Sequence, residues 1–181
     1  SLKNQVNPHF LFNSLNALTN LVYEDQDQAA AFIRQLSKVY RYVLETRSKE
    51  VVSLATELKF IDSYLFLQKI RYDDKLKVEI ETEGYEDRMI PPLAIQMLLE
   101  NAIKHNTIAK DEPLHISIIA KNDRLKVENN LQIKQIQREE SSGMGLANIK
   151  ARYEFLSDQP VKIEKTDKIF RVELPLLTMS T

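Results

Sequence analysis

The hydrophobic period of this chain changes once, near residue 75. Before that point apolar residues recur every three or four positions, and after it Leu76-Lys77-Val78-Glu79-Ile80-Glu81-Thr82 alternates apolar and charged residues with period two, closed by Gly84. Residues three or four apart share a helix face, whereas alternate residues share a strand face. The chain must therefore fold as a helical part followed by a mixed part, an α+β protein with its boundary between Arg71 and Lys75. We place the two domains at 1–73 and 74–181.

In the helical part, Leu11, Leu15, Leu18 and Val22 form one stripe, and the polar run Asn20 to Asp27 breaks it. Asp25 followed by Gln28 predicts a helix cap, after which Ala29, Ile33, Leu36, Tyr40 and Val43 form a second stripe at heptad-like spacing. A helical hairpin follows. Two such helices bury their stripes poorly alone, so the hairpin is expected to pair with that of a second copy as a four-helix bundle; the alternative is packing on the same chain. Ser53 reads as the N-cap of a third helix, with Glu57 in its first turn, Leu54, Leu58, Ile61 and Leu65 on one face, and an end near Arg71.

The mixed part reads as strand 76–82, helix from Pro91 to His105, strands 114–120 and 124–129, a polar loop, helix from Gly145 to Leu156, and strands 161–166 and 169–175. Asn122-Asp123 is the expected hairpin turn. This order predicts an α/β sandwich, with helices on one face of a mixed sheet.

Charge and composition narrow the chemistry. Twenty-five basic and 26 acidic residues leave a formal net charge of −1, which argues against direct nucleic-acid binding. The absence of cysteine removes disulfides, thiol nucleophiles and thiolate-held zinc, and three scattered histidines make a poor metal site. The charge-free apolar run from Met89 to Leu99 contains two prolines and falls short of the roughly 18 residues a membrane span needs. The chain opens on Ser1 and reaches a chemically dense motif almost at once, so we expect it to be excised from something longer, with a sensor or membrane region upstream.

That motif is Asn7-Pro8-His9-Phe10-Leu11-Phe12-Asn13. Neutral imidazole is a competent nucleophile near pH 7, and Pro8 suits the first turn of a helix. A lone histidine in such a place is nonetheless more often an ordinary half-buried helix residue. Two further stretches alter the balance. In the helix ending Glu100-Asn101-Ala102-Ile103-Lys104-His105-Asn106, Asn101, Lys104 and His105 share a face and are suited to hydrated Mg²⁺ with the phosphates it bridges; the simpler reading is a solvated helix end. In Ser141-Ser142-Gly143-Met144-Gly145-Leu146-Ala147-Asn148-Ile149, two of the chain's three glycines open a helix whose N–H groups can meet an anion. The polar stretch Gln132 to Glu140 before it has the character of a lid or of a plain surface loop. His115, within a strand, is expected to be structural.

Taken in order, Asn7 to Asn13, Leu54 to Arg71, Ile90-Pro91-Pro92 through His105, and Gly143 to Ile149 resemble the LytS-like sensor histidine kinases of bacterial two-component systems. The likeness spans nearly the whole chain. It implies a dimeric phosphoacceptor hairpin followed by a Bergerat-type ATP-binding domain, the fold shared with DNA gyrase and MutL. It also implies ATP and Mg²⁺ as ligands, a homodimer, a response regulator of the LytTR type as partner, and a place as the cytoplasmic domain of an inner-membrane protein. By position, His9 would accept the phosphoryl group and Asn101 would chelate Mg²⁺. Glu100 would act as general base, Lys104, His105 and Asn106 would face the phosphates, and Gly143, Gly145 and Leu146 would close on the nucleotide. Asn13, one turn beyond His9, would orient a water for dephosphorylation. Where many relatives carry an aspartate and a Gly-x-Gly, this chain has Val127-Glu128-Asn129-Asn130-Leu131, leaving Asn129 to meet adenine through a neutral amide. Two alternatives remain at this point: an ATPase of the same fold that does not phosphorylate histidine, and a catalytically degenerate dimerisation scaffold.

Overall fold

The structure, a computed structural model, describes residues 8–133 and 144–179. It resolves into two compact units. The first comprises the chain up to Lys49 together with Leu58–Asp73, and the second comprises Glu50–Glu57 together with the chain from Asp74 onward.

The first unit is helical. Helix α1 spans Pro8–Glu24 and α2 spans Gln26–Glu45. The polar run from Asn20 does not end α1, because Leu21 falls seven residues after Ser14 on the buried stripe and its carbonyl accepts from Asp25 N at 2.8 Å. Asp25 caps α2 as expected, its carboxylate accepting from Gln28 N at 3.1 Å. The α2 stripe is displaced by a residue from the expected one. Ala29, Phe32, Val39 and Val43 are buried, while Ile33 faces outward, because the large Phe32 ring takes the inner position. Helix α3, Leu54–Tyr72, supplies a third wall from Leu58 onward. Its Phe60 ring stacks on Tyr42 at 4.3 Å between centroids, its Tyr64 ring meets Phe10 at 5.3 Å, and Gln68 donates to the Tyr64 hydroxyl at 2.9 Å. Part of the hairpin thus packs on its own chain, yet Phe12, Leu15, Val22, Ile33 and Leu44 remain exposed.

The second unit is a two-layer sandwich, as its sequence pattern requires. Strands β2 (Leu76–Glu81), β4 (Leu114–Lys121), β5 (Arg124–Asn130), β6 (Lys162–Lys165) and β7 (Ile169–Pro175) form one sheet in the order β2-β4-β5-β7-β6. The β2–β4 pair is parallel and the rest antiparallel. Asn122 and Asp123 make the β4–β5 turn with φ of 53° and 57°, the left-handed pair a two-residue hairpin demands. One sheet face carries Leu114, Ile116, Ile118, Leu125, Val127, Val172 and Leu174, all buried. Arg171 on the other face bonds Glu128 at 2.6 Å and Glu164 at 2.8 Å. Helices α4 (Ala94–His105) and α5 (Met144–Leu156) form the second layer. Helix α4 starts later than the sequence suggests. Pro91 and Pro92 precede it, and buried Leu93 stands in the left-handed region at φ 68°, a conformation that costs a branched residue roughly 1–2 kcal/mol.

One element was not foreseen. Val52–Ser53 (β1) pairs with Met89–Ile90 (β3) as a small ribbon, and Met89 also pairs with Leu177 through two main-chain bonds. The first turn of α3 is thereby part of the sandwich. Leu54 N donates to Arg88 O at 2.7 Å, Ala55 N to Glu86 O at 3.1 Å, and Thr56 N to the Ser53 hydroxyl at 3.1 Å, so its initial N–H groups are all engaged.

Candidate functional site

The inner face of the sheet changes character toward the end of β5. One cross-strand row sets Ile118 beside Val127 and Val172; the next sets Ile116 beside Asn129 and Phe170. Asn129 is 5% exposed, and its Nδ2 donates to the Asn130 carbonyl at 2.8 Å. Burial of a neutral amide is tolerable where one end is bonded in this way.

Helix α4 packs against β4 and β5. Ala94, Ile95, Leu98, Leu99, Ala102 and Ile103 are buried, Glu100, Asn101 and His105 are half-buried, and Lys104 is exposed. Gln96, one turn earlier, donates to Glu100 Oε2 at 2.6 Å and fixes the carboxylate. Sequence reasoning missed Gln96, although a glutamine four residues before a candidate base is a signal in itself.

The first turn of α5 lies against Asn101. A Cβ added at Gly145 would stand 3.7 Å from Asn101 Nδ2 and 3.9 Å from Oδ1, ordinary contact distances. A side chain there would thus fill the space beside that amide, which glycine keeps open. Leu146 follows, half-buried; Gly143 and the expected lid from residue 134 on lie outside the described residues. Gly145 and Asn101, 44 positions apart in sequence, are the two candidates the fold visibly brings together.

Asn106 is placed differently from the others. It is 2% exposed, its Nδ2 donates to Ala102 O at 2.8 Å and its Oδ1 accepts from Gln132 N at 2.7 Å. Both ends of the amide are engaged within the protein, so it ties the C-terminus of α4 to the chain leaving β5 rather than facing phosphates. Gln132 completes the clasp by donating to the carbonyls of Thr107, Glu112 and Pro113. Nothing in the local pattern announces this partnership, since the residues are 26 apart.

His9 and Asn13 belong to the other unit. Both lie on α1 one turn apart, His9 exposed and Asn13 half-buried. His115 is exposed on β4, and its backbone N–H donates to Asn130 Oδ1 at 2.8 Å.

A family model described as Histidine kinase matches residues 1–76. The sensor histidine kinase BtsS of Escherichia coli (strain K12) is 31% identical over 179 residues, 95% of this chain and 32% of that protein. The sensor histidine kinase/phosphatase LytS of Staphylococcus aureus (strain Mu50 / ATCC 700699) is 30% identical over 169 residues, 84% of this chain and 29% of that protein. The sensor protein LytS of Staphylococcus saprophyticus is 42% identical over 107 residues, 58% of this chain and 18% of that protein. This chain spans about a third of the length of BtsS and of the S. aureus protein. With likeness running along 95% of its length, the chain belongs to the LytS-like sensor histidine kinases.

Proposed function

We propose that the chain is the kinase region of an ATP-dependent sensor histidine kinase, which phosphorylates His9 and passes the phosphoryl group to an aspartate of a response regulator. The observation that carries this reading is the meeting of Gly145 and Asn101, which sets a helix N-terminus beside an amide oxygen. The N–H groups of that first turn favour an anion, and an amide oxygen is a ligand of the type Mg²⁺ accepts alongside substrate phosphates. These residues fit magnesium nucleotide. When bound, the metal neutralises charge on the phosphates.

Each candidate then has a task. Asn101 would hold the metal, and Lys104, with His105 beside it, would face the phosphates from the same side of α4. Asn129 offers its oxygen to the adenine amino group. A neutral bond of that kind is worth about 1 kcal/mol, against roughly 1.5–3 for a carboxylate, so nucleotide affinity is modest. The His9 ring attacks the γ-phosphorus of ATP through its unprotonated nitrogen, the bond to the β–γ bridging oxygen breaks and ADP leaves, and Phe10 follows His9 where an acidic neighbour would otherwise take the proton. Glu100, steadied by Gln96, is the base. Asn106 acts behind the site, holding the end of α4 that carries Lys104 and His105. We further propose a homodimer formed through the exposed α1 and α2 stripes, a LytTR-type regulator, and a cytoplasmic position below a membrane region; among the described residues no helix is long and apolar enough to cross a membrane.

The test is intact mass after incubation with Mg²⁺-ATP, beside His9→Gln. A single phosphate that acid removes, alkali spares and the variant lacks is expected; no phosphate on a protein that binds ATP overturns the kinase reading. The name of the S. aureus relative includes phosphatase. Asn13→Ala should accordingly spare autophosphorylation and slow dephosphorylation of the regulator, and loss of both would refute the separate role.

A further inference from the structure

A continuous set of amide hydrogen bonds runs between the two ends of the proposed nucleotide site. At the β5 end, Asn129 Nδ2 donates to Asn130 O at 2.8 Å. The Asn130 side chain reaches to the start of β4, accepting from His115 N at 2.8 Å and donating to Pro113 O at 3.2 Å. Pro113 O also accepts from Gln132 Nε2 at 3.2 Å, and the same nitrogen meets Glu112 O at 3.0 Å and Thr107 O at 3.2 Å. The Gln132 main chain completes the path: its N–H donates to Asn106 Oδ1 and its carbonyl accepts from Thr107 N, both at 2.7 Å. Asn106 Nδ2 then donates to Ala102 O at 2.8 Å, and Ala102 is the neighbour of Asn101.

The chemistry of Gln132 is what closes this path. Residues 107–113 join α4 to β4 and hold their own turn through the reciprocal main-chain pair of Ala109 and Glu112, at 3.1 and 3.2 Å. The carbonyls of Thr107, Glu112 and Pro113 all lie within 3.2 Å of one nitrogen, so a side chain placed there has to donate. An aliphatic side chain would leave those bonds unmade, a carboxylate would repel the carbonyls, and an amide NH₂ supplies two donors.

We propose that Gln132 is a positioning residue of the nucleotide site: its amide holds the end of β5 that carries Asn129 and the end of α4 that carries Asn101 at one separation, so that a single nucleotide reaches both. This rests on the kinase reading above, in which Asn129 meets adenine and Asn101 the metal on the phosphates. Gln132 itself touches neither. Two contacts held at the right span act on one ligand with an effective concentration that separate contacts lack. Loss of Gln132 should therefore weaken the whole nucleotide more than either half of it.

Titration calorimetry of the whole chain and of Gln132→Ala with Mg²⁺-ATP, adenosine and Mg²⁺-tripolyphosphate tests this. In the variant ATP affinity should fall about tenfold, the size of one or two net hydrogen bonds, while adenosine and tripolyphosphate bind nearly as they do to the parent. In autophosphorylation, KM for ATP should rise by the same factor and the rate at saturating ATP should change far less. Gln132→Lys, whose ammonium can donate to three carbonyls, should recover most of the affinity, and Gln132→Glu should not. A Gln132→Ala protein that binds ATP like the parent overturns the positioning role. So does one that loses both halves as heavily as the whole, the mark of general damage to the fold. Should Gln132→Ala not fold, Gln132→Glu is read against Gln132→Lys in the same way; equal ATP affinity in the two, or failure of either to fold, overturns the role. A parent that binds neither ATP nor adenosine overturns the kinase reading, and the positioning with it.

Discussion

The two units finish their cores in opposite ways. The sandwich closes on itself: the inner sheet face and the buried side of α4 hold Leu99, Leu114, Ile118, Leu125 and Leu174 at 0% exposure. The helical unit does not. Phe12 and Leu44 are 63% and 62% exposed, and Leu15, Val22 and Ile33 also face outward. A closed core derives its stability from this chain alone, whereas a stripe left open gains its remaining stabilisation only when a second surface covers it.

The largest effect should come from cutting into the closed core. Leu99→Ala should lower unfolding stability by about 2–5 kcal/mol, read as the denaturant midpoint, and that loss should be the same at every protein concentration. A smaller and differently shaped effect is expected from Leu15→Glu. Covering a leucine is worth roughly 1.5–3 kcal/mol, so this change should dissociate the copies in sedimentation while leaving the sandwich transition where it was. Were the parent already monomeric at high concentration, the contrast between open and closed units would collapse. Tyr153→Phe removes one buried hydrogen bond, costing about 1 kcal/mol near neutral pH. Burial holds the Tyr153 hydroxyl above the usual tyrosine value of 10.0. The folded state therefore keeps a proton that the unfolded state releases, so its contribution is complete below pH 10.0 and declines above it. The variant should lose stability less steeply in alkali. Smallest and most local, Asp25→Ala removes the α2 cap and should cost about 1 kcal/mol in the helical transition only. An equal change in the sandwich transition would mean that the two units do not unfold separately.

Local patterns were readable where they acted locally. The Asp25 cap, the Ser53 hydroxyl on Thr56 N and the left-handed Asn122-Asp123 turn each involve residues within three positions of one another, and each stands as the sequence implies. The α2 stripe was displaced because spacing alone does not say whether Phe32 or Ile33 faces inward; ring size decided it. Helix α4 starts later than its pattern suggests because Pro91 and Pro92 also suit a first helical turn, and no pattern reveals a left-handed leucine. In the candidate site, Asn101 and Gly145 were named from motif chemistry, and their meeting is a property of the sandwich alone. Asn106 carries the same amide chemistry as Asn101. Burial between Ala102 and Gln132 gives it a different task, and burial cannot be read from residue type.

The short segment Glu50–Glu57 has a consequence for how such a protein can be divided. The natural-looking seam in the chain lies near Asp73, after the last long helix. A fragment begun there would lack β1, leaving Ile90 and Met89 without their antiparallel neighbour, and would leave the Arg88 and Glu86 carbonyls without the N–H groups of Leu54 and Ala55. A fragment that keeps the sandwich's hydrogen bonds whole has to carry the start of α3 with it. The sandwich therefore reaches back across the seam and takes in Glu50–Glu57, the first turn of the helix that otherwise belongs to the other unit.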